Sequence, residues 1–205
     1  MKRFVPVLVA CSVVLITTPV WLPLFGTALA VENRLEPSDV ALVLEGTGKN
    51  APHAAEAWRR QGIVRDVVIV EAPIKTHALE AYWSDFVGWG LADPAPTPGD
   101  HLRVVRAAST QAGQQAAAAL PALRQLHGAT VLVLGDGGIG SRLVERELVS
   151  VLGPGGVTVR MVRYGDAGRD PGHWYQNPED RRAVLDSWLQ LTVPFLSGYE
   201  TDSGR

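Results

Sequence analysis

Hydrophobic positions along the chain fall into two rhythms that alternate. Short apolar runs rich in β-branched residues and leucine lie at Val40–Leu44, Val67–Val70, Leu102–Val105, Val131–Leu134 and Val157–Val162. Between them apolar residues return at helical spacing over Ala51–Gln61, His77–Gly88, Thr110–Leu126 and Leu143–Leu152, and once more over Pro178–Leu191. In the fourth of these stretches Leu143, Val144, Leu148, Val151 and Leu152 share one helix face. Strands and helices in this order predict an α/β fold, a Rossmann-like three-layer sandwich around a mainly parallel sheet of about five strands. Right-handed crossovers carry every strand's carboxyl end to one edge, where open α/β sheets bind ligands.

Two of the strand-to-helix turns carry an acid and several glycines. The segment Thr130–Arg142, TVLVLGDGGIGSR, runs from a buried strand into Asp136, Gly137 and Gly138, with Ser141 placed as helix N-cap and Glu145 near the positive end of the dipole. The segment after Val40–Leu44 repeats this grammar as Glu45-Gly46-Thr47-Gly48-Lys49-Asn50. Glu45 and Asp136 are therefore the candidate catalytic acids, able to work as acid and base or to hold a divalent cation, and the alternative is that they cap a helix or a turn. Lys49 and Arg142 are candidates to clamp an anion, with Gly46, Gly48, Gly137 and Gly138 and the adjoining helix amides around its oxygens. The competing reading leaves Lys49 solvated and pairs Arg142 with Glu145 or Asp136. Ser109 and Thr110 open a helix and are expected to cap it, and with Ser141 they also count among the candidate anion-binding residues; His53 follows the first turn closely enough to join them. Neither turn is a G-x-x-x-x-G-K-[ST] loop or a G-x-G-x-x-G fingerprint. Trp174-Tyr175 either pack in the core or line a cleft, and the turn-rich Asp166–Pro171 after the fifth strand is placed to close over the same edge.

Charge and cysteine content narrow the partners. The 205 residues suffice for one core, and a formal charge of −2 with no basic run excludes a nucleic-acid footprint. The single cysteine, Cys11, permits neither an intrachain disulfide nor a cysteine-based zinc site, and His53, His77, His101, His127 and His173 show no H-x-H or H-x-x-x-H spacing, so no metal site built on these residues and no cofactor is expected. After Lys2 and Arg3, Phe4–Val31 is a run of 28 residues without charge, longer than the roughly 20 that cross a bilayer. Ala28-Leu29-Ala30 has the form of a signal-peptidase site and Leu8-Val9-Ala10-Cys11 that of a lipoprotein acceptor, but the length of the run favours an uncleaved anchor. Residues 1–31 are accordingly read as one transmembrane helix in the plasma or inner membrane, and residues 32–205 as one extracytoplasmic domain, since the positive residues precede the span. The partners expected are the membrane and a small anionic ligand; the oligomeric state is left open.

The chain resembles the YdcF/SanA-like, or ElyC-like, family of bacterial envelope proteins. The likeness is carried by an N-terminal span leading through Leu29–Asp39 into an apolar strand and Glu45-Gly46-Thr47-Gly48, by the helix His53–Gly62, by Ser109-Thr110, and by Ser141-Arg142 after the fourth strand. It implies a Rossmann-like fold, attachment to the inner membrane and a role in envelope or peptidoglycan processes. It also exposes departures: the family has glycine at the position of Glu45, an acid and Asn after the residue matching Thr110, and a histidine before the one matching Arg142. Here those last two places hold Gln111-Ala112-Gly113-Gln114 and Gly138-Ile139-Gly140. Two functions follow as expectations, a hydrolase or transferase acting on an envelope precursor and a catalytically inactive envelope scaffold.

Overall fold

A computed structural model describes residues 17, 20–31, 35–48, 50–75, 80–82, 84–85, 100–135, 138, 140–164 and 171–197. Five strands, β1 (Ser38–Val43), β2 (Val64–Glu71), β3 (Leu102–Arg106), β4 (Thr130–Gly135) and β5 (Thr158–Arg163), form a sheet in the order β3-β2-β1-β4-β5, every neighbouring pair parallel. This is the 3-2-1-4-5 order of a Rossmann-like α/β sheet. Helices α1 (Ala51–Arg60), α2 (Ala112–Gln125), α3 (Ser141–Leu152) and α4 (Pro178–Ser197) follow the strands in the predicted alternation. The described residues gather into two compact units, one drawn from residues 31–137 and 144–167, the other from residues 1–30, 138–143 and 168–205.

In the larger unit the strand pleat explains why the apolar runs are nearly continuous. Val40 and Leu42 of β1, Val68 and Val70 of β2, and Val131 and Val133 of β4 pack under Ala116, Ala119 and Leu123 of α2 and Leu148 and Leu152 of α3. The intervening Ala41, Val43, Val67, Ile69, Leu132 and Leu134 face the other way, under Ala51 and Ala55 of α1. Both faces of the sheet are therefore covered, and each fully buried valine or leucine contributes about 1.5–3 kcal/mol. The alanines of α1 and α2 let those helices approach the sheet closely.

At the amino ends of the strands the polar groups are saturated by fixed partners. Asp66, 4% exposed, accepts from Arg65 Nε at 2.9 Å and meets His101 Nδ1 at 2.9 Å. Burial pushes the Asp66 carboxyl up, but the hydrogen bonds from Arg65 and His101 outweigh it and hold the group below its ordinary value. Asp39 Oδ2 accepts the backbone N–H groups of Ala129 and Thr130 at 3.1 and 2.8 Å, tying β1 to the entry of β4.

Two elements depart from the expected pattern. Helix α2 begins at Ala112 rather than at Thr110, because Ser109 Oγ accepts the Gln111 N–H at 3.1 Å while Gln111 stays extended at φ −66°, ψ 131°. Within the stretch expected to be helical over His77–Gly88, Glu80–Ala81 instead pairs antiparallel with Ile74–Lys75. A turn follows it, with the Tyr82 N–H on Asp85 Oδ2 at 2.9 Å and the Asp85 N–H on Tyr82 O at 3.0 Å. The rest of that stretch lies outside the described residues.

In the smaller unit, residues 20–27 are helical and pack with the 3-10 segment Pro171–Gln176 and α4 around Leu29, Trp174 and Val184. Gly26 makes the approach possible, since a Cβ there would lie 2.0 Å from Pro171 O and 2.4 Å from Trp174 Cδ1. Trp174 is core here, its Nε1–H donating to Leu22 O at 2.6 Å. Among the described residues no helix is long and apolar enough to cross a membrane, and most of Phe4–Val31 upstream of residue 20 lies outside them.

Candidate functional site

The order of the sheet reverses between β1 and β4, so their carboxyl ends lie side by side, with Val43 opposite Leu134. Thr47 spans the two ends: its hydroxyl lies 2.8 Å from Leu44 O and 3.1 Å from Leu134 O, one proton shared between two strand-end carbonyls. On either side of it Gly46 and Gly48 take φ of +91° and +113°, a conformation costly for any residue with a Cβ. Among the described residues an added Cβ at either glycine would meet nothing within 4 Å, so no side chain crowds these two α-carbons, while the Thr47 N–H between them donates to Leu44 O at 3.3 Å.

Glu45 is fixed from two directions. Its backbone N–H donates to Gln115 Oε1 at 2.7 Å, and Gln115 Nε2 donates to Thr110 O at 2.9 Å. Gln115 is 1% exposed, so a single buried amide joins the turn after β1 to the loop after β3. A side chain offering both an acceptor and a donor is required there. The Glu45 carboxyl is pushed above its ordinary value, chiefly by burial and further by the charge of Glu71, while hydrogen bonding from the backbone N–H groups of Gly46 and Ala72 pulls it back. It thus holds its proton to higher pH than an exposed glutamate.

Glu71 ends β2 with 4% exposure. It accepts from Ser84 Oγ at 2.6 Å and lies 4.0 Å from Arg106 Nε. Arg106, at the end of β3, donates to Ser84 Oγ at 3.0 Å and to Asp85 Oδ1 at 2.7 Å, and sits 4.5 Å over the Tyr82 ring. These bonds fasten the turn 82–85 over the ends of β2 and β3. The Asp85 carboxyl is held below its ordinary value by the Tyr82 N–H, and Arg106 adds to this against the effect of burial. The result is a pair of carboxyl groups at adjacent strand ends, one inclined to keep its proton and one bonded to a hydroxyl. Such a pair can act as acid and base. No cluster of three or more metal-ligating side chains occurs among the described residues.

Of the candidates read from the sequence, Glu45, Gly46, Gly48 and the Thr110 carbonyl come together in this way. Ser109 supplies the bond that holds Gln111, and His53 is exposed on α1. Lys49, Asp136 and Gly137 lie outside the described residues. Gly138, Ser141 and Arg142 belong to the smaller unit. There the N–H groups of Ser141, Arg142 and Leu143 donate to the carbonyls of Gly138, Leu29 and Gly140 at 3.1, 3.1 and 2.9 Å, so the opening amides of α3 are already engaged. Helix α3 includes Ser141 as its first residue, and that side chain is buried. Glu71, Ser84, Arg106 and Gln115 were not singled out in the sequence. Two of them had a signal: Glu71 closes an apolar strand as Glu45 does, and Gln115 interrupts the apolar stripe of Ala119, Ala122 and Leu123.

A groove of about 520 Å³ runs beside β3 and α2, between Leu102, Val104, Pro121 and Gln125. It is spanned by a hydrogen bond from Arg103 to Gln125 and holds no carboxylate, which separates it from the chemistry at the strand ends. Comparison with known proteins returns no match: no family model, no curated protein and no solved structure corresponds to the chain.

Proposed function

We propose that the protein is a membrane-anchored, extracytoplasmic α/β protein of YdcF-like type that takes a small phosphate- or nucleotide-like anion at the carboxyl edge of its sheet. The observation that carries this reading is the pair of left-handed glycines, Gly46 and Gly48, uncrowded by any described side chain where the strand order reverses. An anion in front of Glu45 and Glu71 is repelled by their charges; a proton on Glu45 removes one of the two, and burial and Glu71 already raise that group's affinity for it. In a hydrolase or transferase acting on an envelope precursor, the same carboxyl gives and recovers the proton.

A second reading, a non-catalytic envelope scaffold, is favoured by the engaged amides at the start of α3, which offer an anion no free donor as they stand. The two are separated by titrating full-length protein in detergent with sulfate, whose charge does not change between about pH 5 and about pH 8. The proposal expects saturable binding that strengthens as pH falls, and a Glu45→Gln variant whose affinity is flat over that range. No saturable binding at any pH favours the scaffold.

A further inference from the structure

We infer that the exposed apolar patch of the smaller unit, Leu24 and Phe25 together with Leu185 and Leu189, rests on the surface of the lipid bilayer. This inference rests on the anchored reading of the N-terminal run and extends it to the C-terminal helix α4. Single exposed leucines are ordinary, but these are neither single nor loosely held. Leu24 and Phe25 are 59% and 46% exposed on the helical residues 20–27, and Leu185 and Leu189 are 59% and 60% exposed one turn apart on α4. Trp188 joins the two helices: its Nε1–H donates to Phe25 O at 3.1 Å, and its ring meets that of Phe25 at a tilt of 50° with centroids 5.3 Å apart. Trp21 adds an edge-on contact to Phe25 at 5.6 Å. Phe25 and Trp188 therefore make the two exposed stripes continuous, and the Leu29, Trp174 and Val184 core beneath keeps them in place.

The sequence leading into the patch selects a bilayer over a protein partner. Residues 4–19 carry no charge and run without a polar linker into the helix that displays Leu24 and Phe25. Residues 20–27 rise only about 12 Å at 1.5 Å per residue, so a membrane-embedded run upstream leaves this helix, and the α4 face bonded to it, at the headgroup level. Trp21 and Trp188 are the amphipathic aromatics that favour that level. Arg181, exposed one turn before Leu185, suits anionic headgroups, while the neighbouring Arg182 pairs with Asp186 at 3.7 Å and offsets the acid beside Leu185.

The test uses the full chain with Cys11→Ser and Leu189→Cys, labelled at residue 189 with an environment-sensitive fluorophore. The labelled protein is reconstituted into vesicles of phosphatidylcholine and phosphatidylglycerol, with and without nitroxide-bearing lipid. The inference expects blue-shifted emission quenched by the nitroxide lipid, and loss of both effects when Leu185→Glu is added, the near-ultraviolet circular dichroism of the tryptophans staying unchanged. Resistance to alkaline carbonate extraction, measured in parallel, reports the anchor alone. Protein that resists extraction but shows a water-exposed, unquenched label overturns the docking and leaves the anchor standing. Protein that is extracted, with the label unquenched, overturns both. A blue shift that follows protein density and ignores the nitroxide lipid means contact between copies of the chain, and overturns the inference.

Discussion

Replacing Gln115 by leucine keeps its volume and removes both of its hydrogen bonds. The Glu45 N–H then loses an acceptor at 2.7 Å and the Thr110 carbonyl a donor at 2.9 Å. Thr110 is exposed and its carbonyl finds water, so the cost falls on the half-buried Glu45 amide. A buried donor left unpaired costs about 1–3 kcal/mol, which the apolar gain of the leucine offsets only in part. The expected loss is about 1–2 kcal/mol in a urea titration, with a thermal midpoint lower by about 2–8 °C for a chain of this size. Amide hydrogen exchange localises it: Glu45 and Gly46 are expected to lose protection while the β4 amides keep theirs. Gln115→Glu is the informative partner, since an ionised carboxylate still accepts from Glu45 but cannot donate to Thr110, and its defect is expected to shrink as pH falls. A loss under about 0.5 kcal/mol with unchanged exchange at Glu45 would refute the bridge.

Other consequences are equally direct. Glu45 carries a raised pKa in the folded state, so between its ordinary value and the raised one the native chain holds a proton that the unfolded chain has lost. Its contribution therefore falls as pH rises through that window, and Glu45→Gln is expected to gain stability relative to the parent at neutral pH but not at about pH 3, read by denaturant midpoints. Glu56 behaves oppositely: hydrogen bonds from Arg59, seconded by Arg60, bring its carboxyl down to about 2. Its contribution is present above the ordinary value and lost as pH falls toward about 2, so Glu56→Gln is expected to flatten the acid limb of the stability profile. Gly26→Ala forces a Cβ against Pro171 O and Trp174, and is expected to cost about 1–3 kcal/mol or more and to change the near-ultraviolet signal of Trp174.

Much of this fold can be read from hydropathy alone. Valines and leucines buried on both faces of β1, β2 and β4 leave near-continuous apolar runs, and Ala51 and Ala55 mark the buried side of α1 at helical spacing. Strand order is harder, because nothing in Val131–Leu134 states that β4 pairs with β1 rather than with β3; the neighbourhood of Val43 and Leu134 is a tertiary fact. The start of α2 was hidden because the Ser109 hydroxyl is spent on the Gln111 amide, a local competition that composition does not reveal. The candidate site divides in the same way. Glu45 and its glycines stand out as punctuation after a strand, whereas Gln115 lies 70 residues away and joins them only once α2 has packed. Glu71 sits in plain view at a strand end, but its weight comes from Ser84 and Arg106, which reach it from separate segments.

The central claim is that the turn after β1 receives an anion, and amide chemical-shift mapping of isotope-labelled full-length protein during a sulfate titration at about pH 5 tests it most directly. The account predicts saturable shifts concentrated at Gly46, Thr47 and Gly48 and reaching Glu45 and Ala72, all weakened at about pH 8 in the parent but not in Glu45→Gln. Shifts that never saturate, or that spread over exposed arginines while residues 45–48 stay still, would contradict it.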